Sequence, residues 1–272
     1  MKKFIKQGYL IPSRVMHGIW FLDPPKDVSL DGYRIDNVIQ YTDNVVLFYF
    51  SIVVFLMIYF IIKYRSRNGH TAEYDKGDSK KNIIFTVCMG MTVFLTVDVV
   101  IERMAFKDLK EAFWKFPKDE SVVRVEVMPQ QFAWNFRYAG EDSKFSTADD
   151  LVPTQNIMHI PVNTPVIIQI ASYDVIHSFF IPNFRVKVDA TPGMINTLWF
   201  QATETGEFEI ACAELCGNSH YRMRGSLIVD TQEDYSKWLN GLEEEGELDE
   251  DDWGDDDEGI PTYWGWPWKE AI

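Results

Sequence analysis

Hydrophobic positions along the chain are strongly segregated. NVVLFYFSIVVFLMIYFII (44–62) runs 19 residues without a charge, long enough to cross the hydrocarbon core of a bilayer as a helix. NIIFTVCMGMTVFLTVDVVI (82–101) is similar in length and carries one carboxylate, Asp98, near its far end. A buried amphipathic helix would show a polar face every three or four residues. The first run shows none, so the pair predicts a two-helix transmembrane hairpin over 44–104. The loop 63–81 holds six Lys or Arg, against one in 28–43. That asymmetry predicts a cytoplasmic loop and both ends of the chain outside. Pro12, Arg14 and His17 interrupt the partly apolar start MKKFIKQGYLIPSRVMHGIWFL (1–22), which makes it a poor signal peptide. Residues 1–43 read as an extracytoplasmic segment, its start lying on the membrane or on a partner.

After a connector (105–120) the period changes. VVRVEVM, NIMHIPV, PVIIQIA, INTLWFQ and GSLIVD are short β-branched runs separated by Pro, Gly, Asn and Asp, the pattern of strands rather than of alternating helix and strand. Their spacing predicts an all-β sandwich or Greek-key barrel over 121–242. DYSKWLNGL (234–242) reads as a short closing helix. Residues 243–272 read as an acidic, disordered tail that ends in the aromatic cluster YWGWPW.

Charge narrows the choice of partner. The formal net charge is −15, and much of it lies in EEEGELDEDDWGDDDE (243–258). With no basic stripe, nucleic acid is excluded as a partner, whereas an acidic surface speeds the arrival of basic proteins.

Candidate chemistry is concentrated at 210–227, IACAELCGNSHYRMRGSL. Of three cysteines in the chain, Cys88 lies in an apolar run, which leaves Cys212 and Cys216 as the pair. A disulfide between them suits the outer face of a membrane but leaves the spacing of His220 and Met223 unexplained. A Cys2His2 zinc site would need one more histidine and would ignore Met223. Copper is the third reading. A single blue-copper ion takes one Cys, two His and a weak axial Met, and two cysteines double that set, so that two coppers share two thiolates. His177, in the loop SYDVIHSFFIPNF (172–184), is the source of the second imidazole. His17 and His70 lie outside the β domain, and His159 sits within a strand-like run as a packed residue.

The run C-A-E-L-C-G-N-S-H-Y-R-M, together with D-V-I-H-S-F-F-I-P, resembles subunit II of the haem–copper oxidases, over about residues 40–242. This resemblance implies a cupredoxin-like domain behind a two-helix membrane hairpin. It also implies a binuclear copper centre (CuA) held by His177, Cys212, the main-chain carbonyl of Glu214, Cys216, His220 and Met223. In that family the Glu214 side chain also helps to bind magnesium at the junction with subunit I. Function follows as an expectation: electrons pass from cytochrome c through the copper pair to haem in subunit I, where oxygen is reduced to water. Phe179, Phe180 and Phe184 are candidates for the apolar surround of the metals.

QQFAWNFRYAGED (130–142) resembles the aromatic region where electrons reach the family's copper site. The usual tryptophan is Phe132 here, with Trp134 two positions on, and both are candidates for receiving electrons. Glu141, Asp142 and Asp189 are candidate docking carboxylates for a basic donor. Asn82 stands where relatives commonly carry a glutamate at a proton pathway, and an amide cannot collect protons as a carboxylate can. No C-x-x-C-H occurs, so no covalent haem c is expected and the donor is a separate protein. The alternatives are the CuA subunit of a related NO-reducing complex and a membrane-tethered copper-binding or delivery protein.

Overall fold

The computed structural model describes residues 24–248, apart from 70, 72, 73, 119, 120, 141, 146 and 148. Two long helices open the described chain, α1 (Gly32–Lys63) and α2 (Lys80–Phe113), and both are apolar enough to cross a membrane. Nine strands follow: β1 (Val123–Gln130), β2 (Ala133–Tyr138), β3 (Ile157–Pro161), β4 (Pro165–Ile170), β5 (His177–Ile181), β6 (Val186–Ala190), β7 (Asn196–Gln201), β8 (Gly206–Cys212) and β9 (Arg224–Asp230). A third helix, α3 (Gln232–Leu248), closes the described chain.

The strands form two sheets, ordered β2-β1-β4-β7 and β3-β9-β8-β5-β6. β1 runs parallel to β4 and β3 parallel to β9, while the other neighbours are antiparallel. The expected β-sandwich is therefore present. Its interior holds one apolar cluster that includes Val125, Val127, Trp134, Phe136, Ile168 and Phe179. Successive residues of a strand face opposite sides, so Val125 and Val127 share one face of β1 while Glu126 and Met128 share the other.

Helix ends differ from the expected boundaries. The hairpin was expected over 44–104, but α1 starts at Gly32 and α2 continues to Phe113, into the stretch read as a connector. The apolar runs mark only the part that crosses lipid, and polar contacts extend the helices past it. The Gly32 N–H donates to Ser29 Oγ at 2.8 Å. Arg34 reaches Asp31, Asp108 and Glu111 at 2.8, 3.1 and 3.2 Å, which ties the two helices together beyond the apolar zone. The closing helix likewise passes 242 and ends at Leu248, because a glutamate-rich sequence is a good helix former. The rest of the acidic tail and residues 1–23 lie outside the described residues.

Two seams join the hairpin to the sandwich. Ahead of α1, the Val28 N–H donates to the Asn183 carbonyl at 3.0 Å and the Val28 carbonyl accepts from Thr203 N–H at 2.8 Å. The Val28 side chain is 3% exposed and belongs to the sandwich core. Arg185, in the left-handed region at φ 57°, grips Asp36 of α1 with two nitrogens, at 2.6 and 3.0 Å. At the last turn of α2, Trp199 Nε1 donates to the Ala112 carbonyl at 2.6 Å.

Candidate metal centre

β5 opens with His177, and β8 ends with Cys212. The two strands are antiparallel, with Phe179 opposite Cys212, and the Ala213 N–H donates to the Ser178 carbonyl at 2.9 Å. From Cys212 the chain turns through Gly217 and a short 3-10 helix, His220–Arg222, to Met223 and β9. Gly217 is required in this turn. Its φ is +137°, and a Cβ there would lie 2.6 Å from Gln131 Nε2 and 3.1 Å from the Phe132 ring.

This path gathers the donors expected from the sequence. Cys212 Sγ and Cys216 Sγ are 3.8 Å apart, far beyond a disulfide bond of about 2.05 Å, and both cysteines are free. Each sulfur faces its own imidazole: His177 Nδ1 is 3.8 Å from Cys212 Sγ, and His220 Nδ1 is 3.6 Å from Cys216 Sγ. The Glu214 carbonyl is 3.2 Å from Cys212 Sγ, and Met223 Sδ is 3.8 Å from Cys216 Sγ. The donor atoms of His177, Cys212 and Cys216 all lie within 4.8 Å of one another, while His220 serves the Cys216 side.

The two thiols differ in how readily they ionise. Burial opposes ionisation of Cys212, but hydrogen bonding by His177 and by the Ser178 backbone outweighs it and brings this thiol down to about 6. Burial and then the neighbouring Cys212 charge push Cys216 up to about 12. One sulfur thus ionises more readily than the other. A metal ligand is a thiolate, so this arrangement of soft sulfur and imidazole donors fits a bound metal that would let both ionise.

His177 is wholly buried, and its outer nitrogen, Nε2, is 2.9 Å from Asp174 Oδ1. Burial works against protonating this ring, but contacts to Cys212 and Asp174 outweigh it and hold the His177 pKa above its ordinary value. Metal-bound histidines commonly donate their second nitrogen to a carboxylate in this way. Asp174 was not singled out in the sequence, although the D-V-I-H spacing puts it three residues before the ligand. Gln131 was also missed. Its side-chain amide donates to the Cys216 carbonyl at 2.5 Å.

The remaining candidates separate. Phe132 is half-buried and lies against Gly217, beside the sulfur cluster. Trp134 is 0% exposed, so it cannot meet a donor directly. Its ring packs edge-on against His177 and Phe179, at 6.4 and 5.4 Å between centroids. Phe179 therefore lines the site, whereas Phe184 packs on Phe200 and Phe208 in the core and Phe180 pairs with Lys187 across the sheet. Asp189 is half-exposed but already accepts from Ser178 and Lys187. Asp142 follows the Tyr138 end of β2 while Phe132 precedes its Ala133 end, so roughly 20 Å of strand separates them. Glu141 lies outside the described residues. His159 is packed, as expected, stacked on Trp238 at 4.3 Å and bonded to Asp230 at 2.7 Å.

Comparison with known proteins follows the same line. Residues 123–230 match the family described as cytochrome c oxidase subunit II, periplasmic domain. The alternative cytochrome c oxidase subunit 2 of Bradyrhizobium diazoefficiens is 32% identical over 231 residues, covering 76% of this chain and 79% of that protein. The chain belongs to the cytochrome c oxidase subunit II family. A second subunit II relative, from Alkalihalophilus pseudofirmus, is 34% identical over 204 residues, and the match spans 72% of this chain but 55% of that longer protein. The solved periplasmic domain of subunit II of cytochrome oxidase from Bradyrhizobium japonicum is 30% identical and covers 48% of this chain and 99% of that domain, with a TM-score of 0.39. The subunit II family is a copper-binding one. Its periplasmic-domain match and the two apolar helices make this chain a membrane protein with an extracytoplasmic β domain.

Proposed function

We propose that the chain is the electron-accepting subunit of a membrane haem–copper oxidase, taking electrons from cytochrome c and passing them to haem in subunit I, where oxygen is reduced to water. One observation carries this reading: two free sulfurs 3.8 Å apart, each with its own imidazole. With the Glu214 carbonyl beside Cys212 and the Met223 thioether beside Cys216, the donors divide into two sets of four that share both sulfurs. One tetrahedral zinc takes four ligands and leaves two of these donors idle. Thiolate, imidazole and thioether together suit copper.

His177, Cys212, Glu214 O, Cys216, His220 and Met223 would hold the copper pair. When bound, copper supplies one-electron transfer, with the change in charge spread over two ions. The chain supplies the rest. Strands β5, β8 and β9 fix the ligand loops so that little moves when the charge changes. Trp134 and Phe179 keep water from the inner side, and Phe132 covers the turn at Gly217 and is where electrons arrive. Asp189 contributes to docking of the donor. The exposed Glu214 carboxylate, which has no partner among the described residues, is free to join a magnesium ion at the subunit I junction. Both ends of the chain lie on the extracytoplasmic side, opposite the basic loop 63–81.

The test is copper loading of the full-length chain in detergent. Two coppers per chain and the hyperfine pattern of one unpaired electron shared by two copper nuclei are expected, and Cys216→Ser abolishes both signals. One copper per chain, or a near-infrared band that survives Cys216→Ser, sinks the assignment. Silent copper(I) alone, with no electron uptake from reduced cytochrome c, points instead to a copper-delivery protein.

A further inference from the structure

Asp174 makes contacts that no ligand assignment requires. One oxygen, Oδ1, is 2.9 Å from His177 Nε2, and the other, Oδ2, accepts the Gln131 backbone N–H at 2.7 Å. The Val175 N–H, donating at 2.6 Å, holds the carboxylate in place. Gln131 continues the chain of contacts, because its side-chain amide donates to the Cys216 carbonyl at 2.5 Å. Its neighbour Phe132 rests against Gly217. One hydrogen-bonded strap thus runs from His177 through Asp174 and Gln131 to Cys216, joining the two ligand loops, with the Phe132 ring riding on it.

An ionised carboxylate only accepts hydrogen bonds. The nitrogen facing it, Nε2, therefore keeps its proton, so that Nδ1, on the side of Cys212, is the nitrogen that loses its proton and offers a lone pair when a metal binds. That is the tautomer a metal needs, and the hydrogen bond opposite selects it. The ring is 0% exposed, so water does not compete for either nitrogen. Among the described residues His220 has no matching carboxylate in a hydrogen bond, so this control falls on one imidazole of the two.

We infer that Asp174 is a positioning residue with two linked tasks: it fixes the metal-binding face of His177 and anchors the Gln131–Phe132 loop over the ligand turn. The inference builds on the copper reading above but is separable from it, because tautomer control acts on any metal bound through Nδ1. The loop that meets the electron donor and the ligand that receives the metal share one carboxylate, so a disturbance at either is felt at the other.

Full-length protein in detergent provides the test, with copper and cobalt(II) as separate probes. Asp174→Asn keeps the shape but lets an amide donate toward the ring. It is expected to weaken binding of both metals roughly 10- to 100-fold, to alter the copper hyperfine pattern, and to leave the melting temperature close to that of the unmodified chain. Asp174→Ala also removes the acceptor for Gln131, and exchange of that amide should quicken roughly tenfold. Asp174→Glu, which retains an acceptor, should recover most of the affinity. Equal losses in the Glu and Asn variants would make the effect one of packing and overturn the inference. So would unmodified cobalt affinity in a folded Asn variant, or unchanged Gln131 exchange in the Ala variant. If the unmodified chain never forms a copper pair, yet cobalt binding weakens in Asp174→Asn, the copper reading falls and the positioning role stands.

Discussion

Glu126→Gln should flatten the dependence of stability on pH. Glu126 lies on β1, wholly buried, opposite Arg137 of β2. Two Arg137 nitrogens meet the same carboxylate oxygen, Oε2, while Oε1 has no partner among the described residues. Asp150 stands 3.5 Å from the same guanidinium. Burial is the largest influence and raises the Glu126 pKa. Arg137 pulls it back, Asp150 raises it further, and the result is about 7 against an ordinary 4.5. Between these values the folded chain holds a proton that the unfolded chain has released. Stability tied to this group is therefore fully present below pH 4.5 and is lost as the pH rises through 7. The shift corresponds to at most about 3 kcal/mol, or roughly 10 °C in the melting temperature of a domain of this size. The amide introduced by the substitution keeps a carbonyl for Arg137 and has no proton to lose. Melting of both proteins at pH 5 and pH 8 in detergent isolates the effect, since other titrating groups are common to the two. An unchanged difference between pH 5 and pH 8 in the variant would show that Glu126 titrates as an ordinary surface glutamate and that the burial argument is wrong.

Three further outcomes are expected. Gly217→Ala forces a Cβ to within 2.6 Å of Gln131 Nε2 at φ +137°, costing about 1–3 kcal/mol and weakening the copper signal; thermal unfolding and the near-infrared band report both. In metal-free protein at pH 7, iodoacetamide should label Cys212, whose thiol lies at about 6, well ahead of Cys216 at about 12; peptide mass mapping gives the order, and equal rates would overturn the assigned charge states. Trp199→Phe removes the N–H that reaches the Ala112 carbonyl at 2.6 Å and should cost about 1 kcal/mol, seen as faster proteolysis between α2 and β1.

The donors that the structure gathers around the two sulfurs could be read from the sequence because they are mostly local. Cys212, Glu214, Cys216, His220 and Met223 lie within one turn of chain, and soft donors at that spacing have few structural uses. The membrane spans were equally plain, since lipid tolerates no polar face. What stayed hidden depends on register and on long-range closure. Nothing near Glu126 in the sequence announces that Arg137 sits across from it, because that pairing is set by the β1–β2 hairpin. Burial of Trp134 and the remoteness of Asp142 depend on which end of β2 meets the ligand turn. Asp174 was within a motif already recognised, but its reach to Gln131, 43 residues away in the chain, exists only once the loops are folded together. Helix ends were misplaced because apolar patterning reports contact with lipid and is silent on ion pairs such as Arg34 with Asp108.

Val28 has a practical corollary. Its side chain fills part of the sandwich interior from the far side of α1, so the globular half borrows a piece of itself from upstream of the membrane anchor. A secreted fragment trimmed to begin after α2 would be missing that plug and would expose apolar surface around Ala202 and Phe184. Supplying residues 24–31, fused or as a free peptide, should restore what truncation removes.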